Sequence, residues 1–200
     1  MRKTPAVLLD RDGVINKDSY DYVKSYEEFH FRPDALKALR RLREAKAEVY
    51  IITNQSGIAR GYFSEPMLNH ILANLKLDVK RSGGLIHGVQ YSPYHPDDGS
   101  YLRKPNPGML LKAAAKWGLD LSQSVFVGDS STDVDAGHAA GCRTIFLTTR
   151  RELPDREGRL PGDEQVKDHL QRAQNEPDYI ADSLTGAVDI ILDMPQFAEQ

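Results

Sequence analysis

Three short apolar runs in this chain each stop abruptly on a cluster of oxygen-bearing side chains, and that recurrence limits the folds open to it. Ala6-Val7-Leu8-Leu9 runs into Asp10-Arg11-Asp12-Gly13. Glu48-Val49-Tyr50-Ile51-Ile52 runs into Thr53-Asn54-Gln55-Ser56-Gly57, and Ser124-Val125-Phe126-Val127 into Gly128-Asp129. Apolar runs this short, without polar alternation, suit strands covered on both faces, as in a parallel sheet. Helical patterns lie between them. Leu36, Leu39 and Leu42 recur after Pro33, and Met67, Leu68, Ile71, Leu72 and Leu75 follow Ser64-Glu65-Pro66, a serine cap with proline in the first turn. Met109 to Trp117 reads as a helix stopped by Gly118, and Asp133 to Ala140 as a short one stopped by Gly141. Leu85 to Tyr91 and Arg143 to Leu147 supply two more strands. This alternation predicts an α/β fold: a three-layer sandwich with a mostly parallel central sheet, helices on both faces and no large cap.

The remaining segments carry weaker patterns. Residues 14 to 32 hold Tyr20, Tyr22, Tyr26, Phe29 and Phe31 and read as a long loop or small flap; Ser92 to Pro107 is a polar, proline-rich loop. Residues 150 to 177 are charged and broken by proline and glycine, so we expect a polar surface excursion with one marginal helix. Tyr179 to Ser183 and Val188 to Leu192 form a last short strand or helix. A length of 200 residues fits one domain over 1–200. Against 29 acidic residues stand 26 basic ones, a net charge of -3, so no nucleic-acid footprint is expected. No stretch approaches the roughly 18 apolar residues of a spanning helix, and no membrane partner is expected. Cys142 is the only cysteine, which rules out an internal disulfide and a cysteine-rich metal site. We read the chain as cytoplasmic, and as a monomer or weak homo-oligomer.

In an open parallel sheet, ligands bind at the carboxyl ends of the strands, where Asp10, Thr53 and Asp129 fall. Asp10 and Asp12 point the same way if the strand continues; a turn at Gly13 brings one side chain and one backbone carbonyl together instead. Carboxylates held close repel unless a cation or shared proton intervenes. Hard oxygen donors suit magnesium, with Asp129 as a third contributor. A carboxylate can attack phosphorus whose oxygens a metal has polarised. Thr53, Asn54 and Ser56 offer donors to a phosphate, and Lys104 a point positive charge. Taken singly, each feature has a plainer reading: a solvated acidic pair, a helix cap at Thr53-Asn54, a solvated Arg103-Lys104 pair. Their shared position is what lifts them. His95, in the proline-rich loop, is a candidate substrate contact. Cys142, His87 and His138 read as ordinary packing residues, and neither a dinucleotide nor a Gly-Lys-Ser/Thr phosphate loop is present.

Four ordered motifs give the chain a resemblance to the haloacid-dehalogenase-like hydrolases: Leu8-Leu9-Asp10-Arg11-Asp12-Gly13-Val14-Ile15-Asn16, then Thr53 in its run to Gly61, then Arg103-Lys104-Pro105-Asn106-Pro107-Gly108-Met109, then Val127-Gly128-Asp129-Ser130-Ser131-Thr132-Asp133. Each is loose alone; the ordered set is specific. Asp10 to Asn16 and Asn54 to Gly61 are most similar to the D-glycero-D-manno-heptose 1,7-bisphosphate 7-phosphatases and related histidinol-phosphatase domains. The resemblance implies hydrolysis of a small phosphorylated metabolite, a sugar bisphosphate first and histidinol phosphate or another polyol phosphate second. The heptose reaction feeds nucleotide-activated heptose for surface polysaccharide. An inactive domain that binds a phosphorylated ligand is the non-enzyme alternative. The resemblance makes Asp10 the nucleophile and Asp12 the general acid and base, with magnesium on the Asp10 carboxylate, the Asp12 carbonyl and Asp129. Thr53 and Lys104 hold the phosphoryl group; Arg11, Asn54, Gln55, Ser56, Arg60, Arg103 and His95 face substrate. Asp133 supports the Asp129 loop or orients Lys104, with Ser130 beside it.

The chain departs from that pattern in two places. Many relatives hold a structural zinc before the third motif, through three cysteines and a histidine. Here Ser92, Tyr94, Ser100 and Leu102 take the ligand places, so no zinc is expected and Tyr91, Tyr94 and Tyr101 are expected to order the loop. Ser130 stands where close relatives often carry lysine. The segment from Arg150 to Pro177 is longer than in compact relatives.

Overall fold

The computed structural model describes residues 3–149 and 162–198. Six parallel strands form one sheet: β1 (Ala6–Leu9), β2 (Glu48–Asn54), β3 (Gly88–Ser92), β4 (Val125–Gly128), β5 (Arg143–Leu147) and β6 (Tyr179–Ala181), in the order β3-β2-β1-β4-β5-β6. The helices are α1 (Ala35–Glu44), α2 (Glu65–Arg81), α3 (Gly108–Trp117), α4 (Ser131–Ala139), α5 (Asp163–Arg172) and α6 (Leu184–Leu192). Residues 14 to 32 form no regular element beyond isolated bridges at Asn16 and Phe31.

Side-chain alternation sorts the sheet into two faces. Val7, Leu9, Val49, Ile51, Val125, Val127, Ile145 and Leu147 share one buried cluster with residues of α1, α2 and α6. Ala6, Leu8, Tyr50, Ile52 and Phe126 share the other with Met109, Leu110 and Ala113 of α3 and Ala136 of α4. Neighbouring residues of one strand thus enter opposite cores, which is why the runs read as continuously apolar. Burying a leucine such as Leu8 or Leu9 in this way contributes about 1.5–3 kcal/mol.

Helix boundaries follow local chemistry. Ser64 Oγ accepts from Met67 N at 3.3 Å and caps α2, a contact contributing about 1 kcal/mol. Gly118 closes α3 at φ 71°, the left-handed region. Helix α4 begins at Ser131, two residues before the expected start, because Asp133 at its third position accepts from the backbone N–H of Ser130. The ambiguous C-terminal pattern resolves into both elements, strand β6 and then helix α6. Part of the 150–177 segment lies outside the described residues; within the rest, α5 packs on α4 through buried Val166.

The loop before Lys104 is not ordered by its tyrosines as expected. Tyr94 and Tyr101 are exposed, and only Tyr91, on β3, anchors through its hydroxyl to Glu65. Polar and main-chain bonds hold the loop: Asn106 Nδ2 to Ser100 O at 3.1 Å, Gly108 N to Tyr101 O at 3.2 Å, and Arg103 Nη1 to Tyr94 O at 3.2 Å.

Candidate active site

The strand order runs outward from β1 in one direction and from β4 in the other. The gap beyond the carboxyl ends of β1 and β4 is therefore the topological switch point, the place where an open α/β sheet binds its ligand. Asp10 follows β1 and stays on the ladder, its N–H donating to Val127 O at 2.9 Å; Asp129 follows β4. A cavity of about 290 Å³ opens here, lined by Asp10, Arg11, Asp12, Asn54, Gln55, Lys104 and Ser130 among others.

Lys104 is the hub. Its ammonium lies 2.6 Å from Asp133 Oδ1 and 3.0 Å from Asp10 Oδ1, and donates to the Ile52 carbonyl at 3.0 Å. Its side chain is 1% exposed. Burial lowers its pKa, but Asp10 and Asp133 together outweigh that and the net shift is upward, so the cation is secured. Asn54 clamps the loop that carries it: Asn54 Oδ1 accepts from Lys104 N at 3.1 Å and Asn54 Nδ2 donates to Lys104 O at 3.2 Å. Asp10 has the opposite balance. Burial pushes its carboxyl up to about 7, with Lys104 opposing and Asp133 and Asp12 adding to the rise. A further cation beside Asp10 would relieve this strain on the ionised form.

One oxygen from each of Asp10, Asp129 and Asp133 lies within 4.8 Å of the others, a hard-oxygen set that can hold a divalent ion such as magnesium. Within this set Asp133 is already engaged as a brace. Its Oδ2 accepts from Asp129 N at 3.2 Å, Ser130 N at 3.1 Å and Ser130 Oγ at 2.7 Å, while Oδ1 meets Lys104. Both suggested roles of Asp133, supporting the Asp129 turn and orienting Lys104, thus have bonds behind them. Two glycines make the approach possible. At Gly13, with φ +78°, a Cβ would lie 1.9 Å from Asp129 Oδ2; at Gly128 it would lie 2.2 Å from Asp133 Cβ.

The Asp12 carboxylate is not part of this oxygen set and has partners of its own. Arg11 Nη2 donates to both its oxygens at 2.8 Å, Asn16 Nδ2 to Oδ1 at 2.8 Å and Gln55 Nε2 to Oδ2 at 2.9 Å. Burial raises the Asp12 carboxyl, but the Arg11 charge and these hydrogen bonds bring it below the ordinary carboxylate value. Arg11, expected on the substrate side, lines the cavity, is only 1% exposed, and donates through Nε and Nη2 to Asp12. Gln55 likewise bonds Asp12 and, at 3.0 Å, buried Thr53 Oγ1. Ser56 is buried with Tyr22 Oη 3.4 Å away.

The outer residues are placed differently. Arg60 is exposed and lines a second, open cavity of about 440 Å³ with Tyr20, Asp21, Tyr22, Lys24 and Tyr62. Burial lowers the Arg103 pKa and the nearby Arg60 charge adds to the lowering, so an anion beside both would be welcome. His95 does not join them: it caps the short 3-10 turn Pro96–Asp98, its Nδ1 accepting from Asp97 N at 3.3 Å, and lines neither cavity. Conversely, Asp18, Ser19, Tyr22, Thr132 and His169 line the inner cavity without having been singled out, and Asn16 fixes Asp12. Asn16, inside the first motif, was open to notice; His169, in a polar segment, carried no pattern.

Paired carboxylates around a buried lysine at a switch point are the parts of a phosphoryl-transfer centre, and comparison with known proteins agrees. Residues 3–141 match the model of the haloacid dehalogenase-like hydrolase family, and residues 101–187 a second, HAD-hydrolase-like model. The chain belongs to the haloacid dehalogenase-like hydrolases and carries the catalytic machinery of a phosphatase of that type. Its relatives within that family include heptose bisphosphate phosphatases. It is 44% identical over 143 residues to the D-glycero-beta-D-manno-heptose-1,7-bisphosphate 7-phosphatase of Pseudomonas aeruginosa, covering 72% of this chain and 80% of that one. It is 36% identical over 198 residues to the D-glycero-D-manno-heptose-1,7-bisphosphate 7-phosphatase of Thermosynechococcus vestitus, covering 94% and 95%. The crystal structure of the D,D-heptose 1,7-bisphosphate phosphatase from B. bronchiseptica, complexed with magnesium and phosphate, superposes with a TM-score of 0.82 at 33% identity, covering 94% of this chain and 98% of that one. Among the described residues, no helix is long and apolar enough to cross a membrane.

Proposed function

We propose that this chain is a magnesium-dependent phosphatase that removes the 7-phosphate of a D-glycero-D-manno-heptose 1,7-bisphosphate by way of an aspartyl-phosphate on Asp10. The observation that supports this most is the likeness, over nearly the whole chain, to enzymes bearing that name, joined to the convergence on Asp10 of Lys104, 3.0 Å away, and of an Asp129 carboxylate oxygen within 4.8 Å.

Asp10 attacks phosphorus and the sugar oxygen leaves on the opposite side. Lys104, already 3.0 Å from Asp10 Oδ1, offsets the charge of the phosphoryl oxygens as they approach, and Thr53 donates to one of them. Asp12 gives a proton to the departing sugar oxygen, then takes one from the water that hydrolyses the aspartyl-phosphate. Arg11, Asn16 and Gln55 favour the ionised form left once that proton has been given, the form the second half requires. Asp10, Asp129 and the Asp12 carbonyl would hold magnesium, which when bound polarises the phosphoryl oxygens. Arg60 and Arg103, beyond the inner cavity, attract the second phosphate.

A release assay for inorganic phosphate tests this. Sugar mono- and bisphosphates, both heptose bisphosphate anomers, histidinol phosphate and nucleotides are compared with magnesium present. The highest kcat/KM should fall on a heptose bisphosphate, and activity should vanish on chelation and return with magnesium. Preference for histidinol phosphate or a nucleotide would refute the substrate.

A further inference from the structure

Between the two cavities stands a residue that the mechanism above does not use. Among the described residues, Tyr22 alone lines both the inner cavity, with Asp10 and Lys104, and the outer one, with Lys24, Arg60 and Tyr62. Arg103 lies close enough to Arg60 and Tyr22 for both to act on its charge. One end of this path holds the parts that transfer a phosphoryl group, and the other gathers cations that suit a second anion. A molecule with one anionic group at each end passes Tyr22.

The backbone singles out the same residue. Tyr22 has φ +63°, in the left-handed region that glycine or asparagine fills readily and a bulky side chain rarely enters. The turn there is closed by a main-chain bond, Tyr22 N to Ser19 O at 3.2 Å, which a glycine would make without strain. A tyrosine held in that conformation points to a use for its ring. Neighbours fix it: its ring centroid is 5.1 Å from that of Tyr62 and 6.5 Å from that of Phe63, and its hydroxyl is 3.4 Å from Ser56 Oγ. Buried Val23 pins the chain beside it. Tyr22 is nonetheless only partly buried, and it borders both cavities.

We propose that Tyr22 is a specificity-determining residue: its ring packs against the carbon body of a phosphorylated substrate whose transferred phosphate lies at Asp10 and whose far end reaches toward Arg60. A flat aromatic surface suits the C–H face of a sugar, and a ring already held in place loses little freedom on binding. The inference rests on the sugar-phosphate reading above.

Steady-state kinetics of full-length Tyr22→Asn and Tyr22→Phe test it, with a heptose bisphosphate, the monophosphate carrying only the transferred phosphate, and inorganic phosphate as a competitive inhibitor. Asparagine accepts the left-handed backbone and removes the ring; phenylalanine keeps the ring and removes the hydroxyl. Tyr22→Asn should raise the KM of both sugar phosphates about tenfold, the scale of one aromatic contact, and leave the Ki of inorganic phosphate within about twofold. Tyr22→Phe should stay within about twofold of wild type on all three. Should Tyr22→Asn melt below the assay temperature, Tyr22→Leu fills the place beside Phe63 without a flat face, and the same split is expected of it. Unchanged sugar KM values, a Ki that rises in step with them, or a loss confined to the bisphosphate would overturn the proposal and leave Tyr22 as packing for its loop. The two readings fail separately. A wild-type preference for some other phosphate ester sinks the heptose assignment, and Tyr22 is then judged by the KM of that ester against the Ki of inorganic phosphate.

Discussion

On the floor of the site, Lys104, Asp129 and Asp133 are 2%, 1% and 1% exposed, with the lysine on Asp133 and an Asp129 carboxylate oxygen within 4.8 Å of one from Asp133. At its rim, Tyr20 and Tyr62 are 42% and 55% exposed and Arg60 stands in solvent. The floor is placed by strands: Asp10 and Asp129 follow β1 and β4, and the lysine reaches the end of β2. The rim is placed by loops and by α5, tied together through contacts such as Gln165 to Tyr20. The difference divides the work. Removed from water, the floor's charges act on one another at low effective dielectric, which suits stabilising a phosphoryl group of any origin. The wetter rim adds less energy per contact but varies in shape, and so decides which phosphate ester is accepted.

Removing a floor residue should cost turnover on every substrate alike. The largest effect is expected at Asp10. Asp10→Asn keeps the shape and the Arg11 N–H contact but replaces the nucleophile with an amide. Phosphate release should fall by about a thousandfold or more on both a sugar bisphosphate and p-nitrophenyl phosphate, while the circular dichroism spectrum and melting temperature hold. Burial raises the carboxyl at this position, so a neutral amide costs the fold little. Turnover within tenfold of wild type would remove Asp10 from the chemistry.

Gly13 tests whether floor geometry matters apart from floor charge. A methyl there would sit 1.9 Å from Asp129 Oδ2, on a backbone with φ +78°. Gly13→Ala removes no charged or polar group, yet it must displace the Asp129 carboxylate or the turn. Strain of about 1–3 kcal/mol should appear as a lower midpoint in denaturant. The magnesium concentration for half-maximal activity should rise by about tenfold or more, since the Asp129 ligand is pushed aside. A stability loss with unchanged magnesium dependence would separate the glycine from the metal site.

The same division governs what could be read before the structure. The floor was legible because parallel strands impose a strong pattern: buried runs end on Asp10, Thr53 and Asp129, and their carboxyl ends must converge at a switch point. The rim was less so. Tyr94 and Tyr101 looked like packing groups but are exposed, because main-chain and amide bonds already order their loop. Arg11, read as a substrate contact, lines the cavity and also holds Asp12, a second role fixed by side-chain direction rather than residue type. His95 caps a turn, the kind of local competition that a proline-rich loop invites. His169 lay in a segment too polar to show which stripe packs; only Val166 and Leu170 against α4 reveal it.

Arg60 supplies the smallest predicted effect and the sharpest separation of rim from floor. It lies in the open cavity of Tyr20, Tyr22 and Tyr62, beside the outer charge of Arg103 and apart from Lys104. An exposed arginine opposite a phosphate contributes up to about 1 kcal/mol, or roughly fivefold in binding, and salt screens it. Arg60→Ala should therefore raise the KM for a sugar bisphosphate about fivefold at low ionic strength, with kcat almost unchanged. The gap should narrow as salt is added, because the wild type loses the attraction that the variant already lacks. Sugar monophosphates and p-nitrophenyl phosphate, with no second phosphate to present, should respond by less than about twofold. A kcat that falls for all three substrates would mean that Arg60 acts on the floor through its neighbours, and the rim would then be part of the catalytic machinery rather than a reader of substrates.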